Sequence, residues 1–239
     1  MTQAGMFCLP ASLPPCLPAF LPFVMFQLIV FDLDGTLIDS RRDLANATNA
    51  LLVECGAAPL SEEAIGSMVG DGAATLVARA FAVADIDPPA DALDRFLRIY
   101  GDHLLDTTRP YPGIREALDH LRSRSQLAVL TNKPLASTRR ILDGLSLASY
   151  FRPDAVVGGD GPFPRKPDPA ALCHLAAQAD VPLRDTVLVG DSAIDWRTAR
   201  AAGVAACLVR YGFGFQAVPL DQLGAEDRVI SAPNELMSL

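Results

Sequence analysis

The 239-residue sequence is short of cations: 20 Lys and Arg against 28 Asp and Glu give a formal net charge of −8. That balance leaves no basic surplus to hold a nucleic acid or an anionic membrane. Phosphate, if bound, must be held by local cations, a metal or backbone N–H groups. Cysteine is sparse and carries no pairing pattern. Cys8, Cys16, Cys55, Cys173 and Cys207 include no C-x-x-C and are odd in number. This argues against a disulfide framework or a zinc site and for reduced thiols in a cytoplasmic protein. Charge is absent from the first 31 residues, and residues 1–24 hold Pro10, Pro14, Pro15, Pro18 and Pro22. A secretory signal needs a positive start and an unbroken apolar run. A spanning helix needs about 20 apolar residues without closely spaced prolines. The segment fits neither and reads as a disordered N-terminal extension, with regular structure beginning at Met25.

What is present suits one core with a small second unit. Half the residues are hydrophobic, enough for a sizeable core. Short β-branched runs at Gln27–Phe31, Leu127–Leu130, Ala155–Val157, Thr186–Val189 and Val204–Val209 read as buried parallel strands. Helical patterns at Ile114–Arg124, Leu135–Asp143, Ala170–Ala179 and Ala193–Ala202 alternate with them, which implies βαβ units and an α/β fold. The alternation stops over residues 40–109. That stretch shows no strand pattern and reads as helices near 41–54, 61–69, 73–83 and 90–105, with Ser40 and Asp43 at capping-box spacing. The expected division is a core of residues 25–39 and 110–239 with 40–109 as a helical insert over the carboxyl edge of the sheet, where open α/β sheets bind ligands.

Four short motifs fall at the carboxyl ends of four expected strands. In Asp32-Leu33-Asp34-Gly35-Thr36, residues i and i+2 of an extended chain share a side. Asp32 and Asp34 can therefore face one pocket, where they repel unless a cation or a shared proton relieves them; the plainer reading is a solvated Asp-Gly turn. In Thr131-Asn132-Lys133-Pro134, a hydroxyl and an amide precede a helix. They suit an anion or simple N-capping. In Arg165-Lys166-Pro167-Asp168-Pro169, Pro167 biases Lys166 to an extended conformation and Asp168 can cap the next helix. Lys166 is then either an ammonium offsetting carboxylate and phosphate charge or part of a solvated loop. In Gly190-Asp191-Ser192-Ala193-Ile194-Asp195, Ser192 and Asp195 have capping-box spacing. Asp191, directly after a buried strand, reads as a ligand for a hard cation such as Mg²⁺.

Together the four motifs, in the order DLDGT, Thr131, Lys166, GDSAID, resemble the haloacid dehalogenase-like superfamily across residues 27–195. The resemblance implies a Rossmann-like parallel-sheet core with an inserted α-helical cap. It also implies a nucleophile at Asp32, an acid/base at Asp34 and phosphate contacts at Thr131 and Lys166. Mg²⁺ would be held by Asp32, Asp34 through its carbonyl, and Asp191. The stretches FDLDGTLIDS, VGDGAATLV, YPGIREAL, TNKP, RKPDP and RYGFG are most similar to the phosphoglycolate phosphatase group. The implied substrate is a small phosphorylated metabolite, the protein a monomer or homodimer.

Gly70-Asp71-Gly72 precedes an expected helix near Ala73. Its backbone donors are candidates for binding the substrate's carboxylate, with Asn132 a further substrate-binding candidate; an ordinary inter-helix turn is the alternative for Gly70–Gly72. The aspartate at position 34 disfavours dehalogenase and phosphonate chemistry by the same resemblance. Rival expectations are a sugar-phosphate phosphatase, a β-phosphoglucomutase-like phosphotransferase and a catalytically weak regulatory protein on the same fold.

Overall fold

The computed structural model describes residue 1 and residues 25–239. The extension expected over residues 1–24 lies, apart from Met1, outside the described residues. In chain order the first half runs β1 (Leu28–Phe31), β2 (Ile38–Asp39), α1 (Arg41–Glu54), α2 (Glu62–Gly66), α3 (Ala73–Val83), α4 (Ala92–Asp102), β3 (Arg109–Pro110) and α5 (Ile114–Leu121). The second half runs β4 (Gln126–Leu130), α6 (Leu135–Gly144), β5 (Val156–Val157), α7 (Ala170–Gln178), β6 (Thr186–Gly190), α8 (Ala193–Ala202), β7 (Ala205–Val209) and β8 (Arg228–Ile230).

The six strands β5-β4-β1-β6-β7-β8 form one parallel sheet in that order, with β1 between β4 and β6. β1 is apolar throughout because both faces of the sheet are covered. Its side chains still divide with period two. Ile29 and Phe31 join a cluster containing Leu118 of α5 and Ile141 of α6, whereas Leu28 and Val30 join one containing Leu172 of α7 and Ala199 of α8. Burying a large side chain of this kind contributes on the order of 1.5–3 kcal/mol, and a one-residue slip of β1 would exchange the two faces. β1, β4 and β6 therefore end together, and the loops that follow them meet above that edge.

Between β2 and β3 the chain forms α1–α4. α1 packs on α2 and α4, and α3 on α4. Their inward residues include Leu44, Leu51, Leu76, Phe81, Phe96 and Tyr100, and the Phe96 and Tyr100 rings stack at 5.7 Å. The segment leaves and rejoins the sheet through an antiparallel ribbon, Ile38 opposite Pro110 and Asp39 opposite Arg109. No strand was expected within 40–109. Arg109 is in one, because two paired residues are too short to generate a period.

The capping box expected at Ser40 and Asp43 does not form. Ser40 makes no side-chain cap on α1. Asp43 turns instead to the returning chain, where its carboxylate accepts bonds from the N–H and hydroxyl of both Thr107 and Thr108 at 2.5–3.0 Å. Burial works to raise the Asp43 carboxyl, but these bonds outweigh it and hold the group below its ordinary range. By contrast, Ser192 and Asp195 do form a capping box on α8, and Asp168 accepts from the Ala170 N–H at the start of α7.

Candidate active site

Asp32 continues β1, its N–H donating to Val189 O of β6 at 2.8 Å, and its side chain is buried at the sheet edge. Asp34 follows on the same side, and both line one cavity, but their carboxylates turn to different partners. The chain reverses at Gly35, whose φ is +85°. A Cβ there would lie 2.1 Å from Asp191 Oδ2. Only glycine meets both demands, a left-handed backbone and contact with the neighbouring carboxylate.

Asp32 Oδ1 lies 2.9 Å from Lys166 Nζ, which also donates to Asp195 Oδ1 at 2.6 Å. Asp191 accepts from the Gly214 N–H at 2.8 Å. Asp32, Asp191 and Asp195, all buried, each present an oxygen within 4.8 Å of the others. Burial pushes the Asp32 carboxyl up to about 6; Lys166 opposes this, and Asp195 adds to it. Burial, then the charges of Asp195 and Asp32, raise Asp191 well above its ordinary value. Three carboxylates against one ammonium leave excess negative charge out of water, which a cation would relieve. The donors are all oxygen, the set that suits a hard divalent ion. The residues present therefore fit a divalent metal.

Asp34 faces the other way. Its Oδ1 accepts from the Ser40 hydroxyl and its Oδ2 lies 2.9 Å from Lys133 Nζ. Lys133 Nζ also donates to the Tyr100 hydroxyl at 2.8 Å and sits 4.5 Å from the centre of that ring. Burial works to lower the Lys133 ammonium, but Asp34 and Tyr100 outweigh it and raise it; burial pushes the Tyr100 phenol up to about 12. Lys133 and Lys166 are the only lysines in the sequence, so every lysine of the chain is buried in this site.

Thr131, at the end of β4, lines the cavity and accepts from the Lys133 N–H at 3.2 Å. It does not cap α6, whose first N–H, from Leu135, goes to Asp160. Asn132 does not cap it either. The Asn132 amide donates to Gly70 O at 2.9 Å and Lys166 O at 3.0 Å and accepts from Lys166 N at 2.9 Å. It thus pins the Lys166 backbone to the β4 loop and both to the turn before α3.

In that turn Gly70 and Gly72 line the cavity with Asn132. A Cβ on Gly72 would come within 3.3 Å of Asn132 O, so a side chain would push the turn away from the sheet. Asp71 is not among the lining residues, and its carboxylate is 2.7 Å from Arg79. Much of the remaining wall is apolar: Val69 from the loop before α3, and Leu44, Ala73, Leu76, Phe96 and Leu97 from the helices. The cavity holds about 50 Å³.

A family model described as haloacid dehalogenase-like hydrolase matches residues 29–209. The chain belongs to that family. It is 42% identical over 210 residues to the phosphoglycolate phosphatase of Rhodospirillum rubrum, covering 84% of this chain and 86% of that one. It is also 42% identical over 194 residues to the phosphoglycolate phosphatase of Nitrosospira multiformis, covering 78% and 84%. Among solved structures, a predicted phosphoglycolate phosphatase from Haemophilus somnus superimposes with a TM-score of 0.79 at 30% identity, over 89% of this chain and 96% of that one.

In this hydrolase the fold brings together Asp32, Asp34, Thr131, Asn132, Lys166 and Asp191, with Gly70 and Gly72 on the wall; it turns Asp71 aside. Four further groups belong to the site and were not assigned to it from sequence. Ser40 and Asp195 were read as helix caps, and Asp195 proves to be both a cap and a partner of Lys166. Lys133 lay inside a motif that was read for its neighbours. Tyr100 sits in a helix whose apolar period gave no sign that its hydroxyl meets a buried ammonium. Among the described residues of this hydrolase, no helix is long and apolar enough to cross a membrane.

Proposed function

We propose that this hydrolase is a Mg²⁺-dependent phosphatase that cleaves 2-phosphoglycolate through an aspartyl-phosphate on Asp32. The observation that carries the reading is the buried Asp32 carboxylate, 2.9 Å from Lys166 and beside two further carboxylates, lining one cavity with Asp34 and Thr131. The phosphoglycolate phosphatases at 42% identity support the choice of substrate.

Asp32, the carbonyl of Asp34 and Asp191 would hold Mg²⁺, with Asp195 behind them. When bound, the ion offsets the charge of the carboxylates and of the phosphoryl oxygens. Lys166 holds Asp32 in place and, with the Thr131 hydroxyl, meets the phosphoryl oxygens. An Asp32 oxygen attacks phosphorus as the ester oxygen departs, and the departing alkoxide takes a proton from Asp34. Water then attacks the acyl phosphate and gives its proton to Asp34. Phosphate leaves and the Asp32 carboxylate is restored. The Asn132 amide keeps the Lys166 backbone and the Gly70–Gly72 wall in register, and α1–α4 exclude bulk water above the site as a cap.

The test is turnover of a panel of phosphate monoesters with Mg²⁺ and after exhaustive chelation. The reading expects 2-phosphoglycolate to show the highest kcat/KM and chelation to abolish turnover of every ester. Full activity after chelation, or a clear preference for a hexose phosphate, would overturn it.

A further inference from the structure

The cavity contains one element that phosphoryl transfer does not require. Lys133 pairs with Asp34, whereas Lys166 pairs with Asp32 and Asp195, so the two ammonium groups serve different carboxylates. An ammonium offers three N–H donors. Two have partners, Asp34 Oδ2 at 2.9 Å and the Tyr100 hydroxyl at 2.8 Å. The Tyr100 hydroxyl accepts that bond, and among the described residues no acceptor takes its own proton. Two adjacent groups, one cationic and one phenolic, thus each retain an unused donor at the wall of the cavity. Lys133 is the only cationic side chain among the lining residues, and the helices add apolar lining beside it: Leu44, Leu76, Phe96 and Leu97. An unsatisfied donor pair in apolar surroundings favours a ligand that satisfies both donors together and disfavours one that leaves them bare.

A carboxylate has the matching chemistry, with two acceptor oxygens and one negative charge. Position narrows the choice further. Lys133 contacts the side chain proposed to protonate the leaving oxygen, so a group it holds lies close to that oxygen along the substrate. We propose that Lys133 and Tyr100 together recognise the substrate's carboxylate, selecting short phosphate monoesters that carry a carboxylate next to the ester carbon. This inference rests on the phosphatase reading above. It moves charge recognition from the turn at Gly70–Gly72 to the Lys133–Tyr100 pair. Because Lys133 follows β4 and Tyr100 lies on α4, a bound carboxylate would also join the sheet edge to the helical segment.

The experiment compares three esters of equal length: 2-phosphoglycolate, 2-hydroxyethyl phosphate and 2-aminoethyl phosphate. They share the phosphoryl end, so damage to Asp32, Asp34 or the metal site lowers all three together. Charge recognition shows instead in the ratios of kcat/KM. In Lys133→Met the preference for 2-phosphoglycolate over 2-hydroxyethyl phosphate is expected to fall about 10- to 100-fold, the size of a hydrogen bond to a charged group, while the relative rate of 2-aminoethyl phosphate rises. In Tyr100→Phe, which removes a hydroxyl whose partner is Lys133, the same preference is expected to fall about 10-fold or more, because that hydroxyl would also donate to the charged carboxylate. If Lys133→Met does not fold, the Tyr100→Phe ratio decides. Equal losses on all three esters in Lys133→Met, or an unchanged ratio in Tyr100→Phe, would overturn the proposal and leave Lys133 as a support for Asp34. Failure of the wild-type protein to cleave any of the three would instead overturn the phosphatase reading itself.

Discussion

Lys166 lies closer to Asp195 than to Asp32, 2.6 Å against 2.9 Å. The ammonium is therefore held between the proposed nucleophile and a residue whose other oxygen closes the capping box of α8. In Asp195→Asn one negative charge leaves the acidic cluster, while an amide oxygen can still accept from the Ser192 N–H. The melting temperature in EDTA should stay within a few degrees of wild type. Losing the anchor of Lys166 should cost about 10- to 100-fold in kcat/KM or in the Mg²⁺ concentration needed for half-maximal rate, as loss of a group behind a metal ligand typically does. Titrating activity with Mg²⁺ checks this, and wild-type kinetics in the variant would refute it.

The raised carboxyl of Asp32 makes a prediction about stability without metal. Its value in the folded chain is about 6 against an ordinary 3.8. Below 3.8 both the folded and the unfolded chain hold this proton, so Asp32 carries no penalty. Between 3.8 and 6 the unfolded chain ionises while the folded chain keeps its proton, and stability falls with rising pH. Above 6 the penalty is constant. Asp32→Asn has no such proton to lose. In EDTA its melting temperature should gain on wild type from pH 4 to 6 and then run parallel. A difference that does not change across that range would contradict the burial argument.

For Asp34 the informative comparison is between leaving groups. Asp34→Asn keeps the size of the side chain and leaves the backbone carbonyl in place, but it cannot deliver a proton. Turnover of alkyl phosphates should fall by about 10²- to 10⁴-fold. The first step with p-nitrophenyl phosphate, whose leaving group needs little protonation, should fall much less, and radiolabelled phospho-enzyme should accumulate in rapid-quench samples. Equal penalties on activated and alkyl esters in that step would mean that Asp34 is not the general acid.

The sheet was legible because its strands are short apolar runs separated by helices of clear period, and three of the four motifs directly follow β1, β4 and β6; the one carrying Lys166 begins at Arg165, eight residues after β5 ends at Val157. β8 and the ribbon of Ile38–Asp39 with Arg109–Pro110 were not, since two or three residues carry no period. Asp43 shows the same limit at the level of one side chain. Its spacing from Ser40 is that of a cap, but its partners lie about 65 positions away at Thr107 and Thr108. Pairings of that kind depend on where the chain returns, which local pattern does not encode. Lys133 and Tyr100 are 33 positions apart and meet for the same reason. Asp32 and Asp191 were legible because each directly follows a strand, and Asp34 because it stands two residues beyond Asp32, so the local element alone delivers them to the sheet edge.

The central claim is that Asp32 carries phosphoryl transfer from 2-phosphoglycolate. It is tested most directly by measuring phosphate release from that ester, at saturating Mg²⁺, with wild-type protein and Asp32→Asn side by side. The account predicts rapid release by wild type and a loss of about 10⁴-fold or more in a folded Asp32→Asn, as expected on removing a nucleophile. Comparable release from the two proteins, or none from wild type, would contradict it.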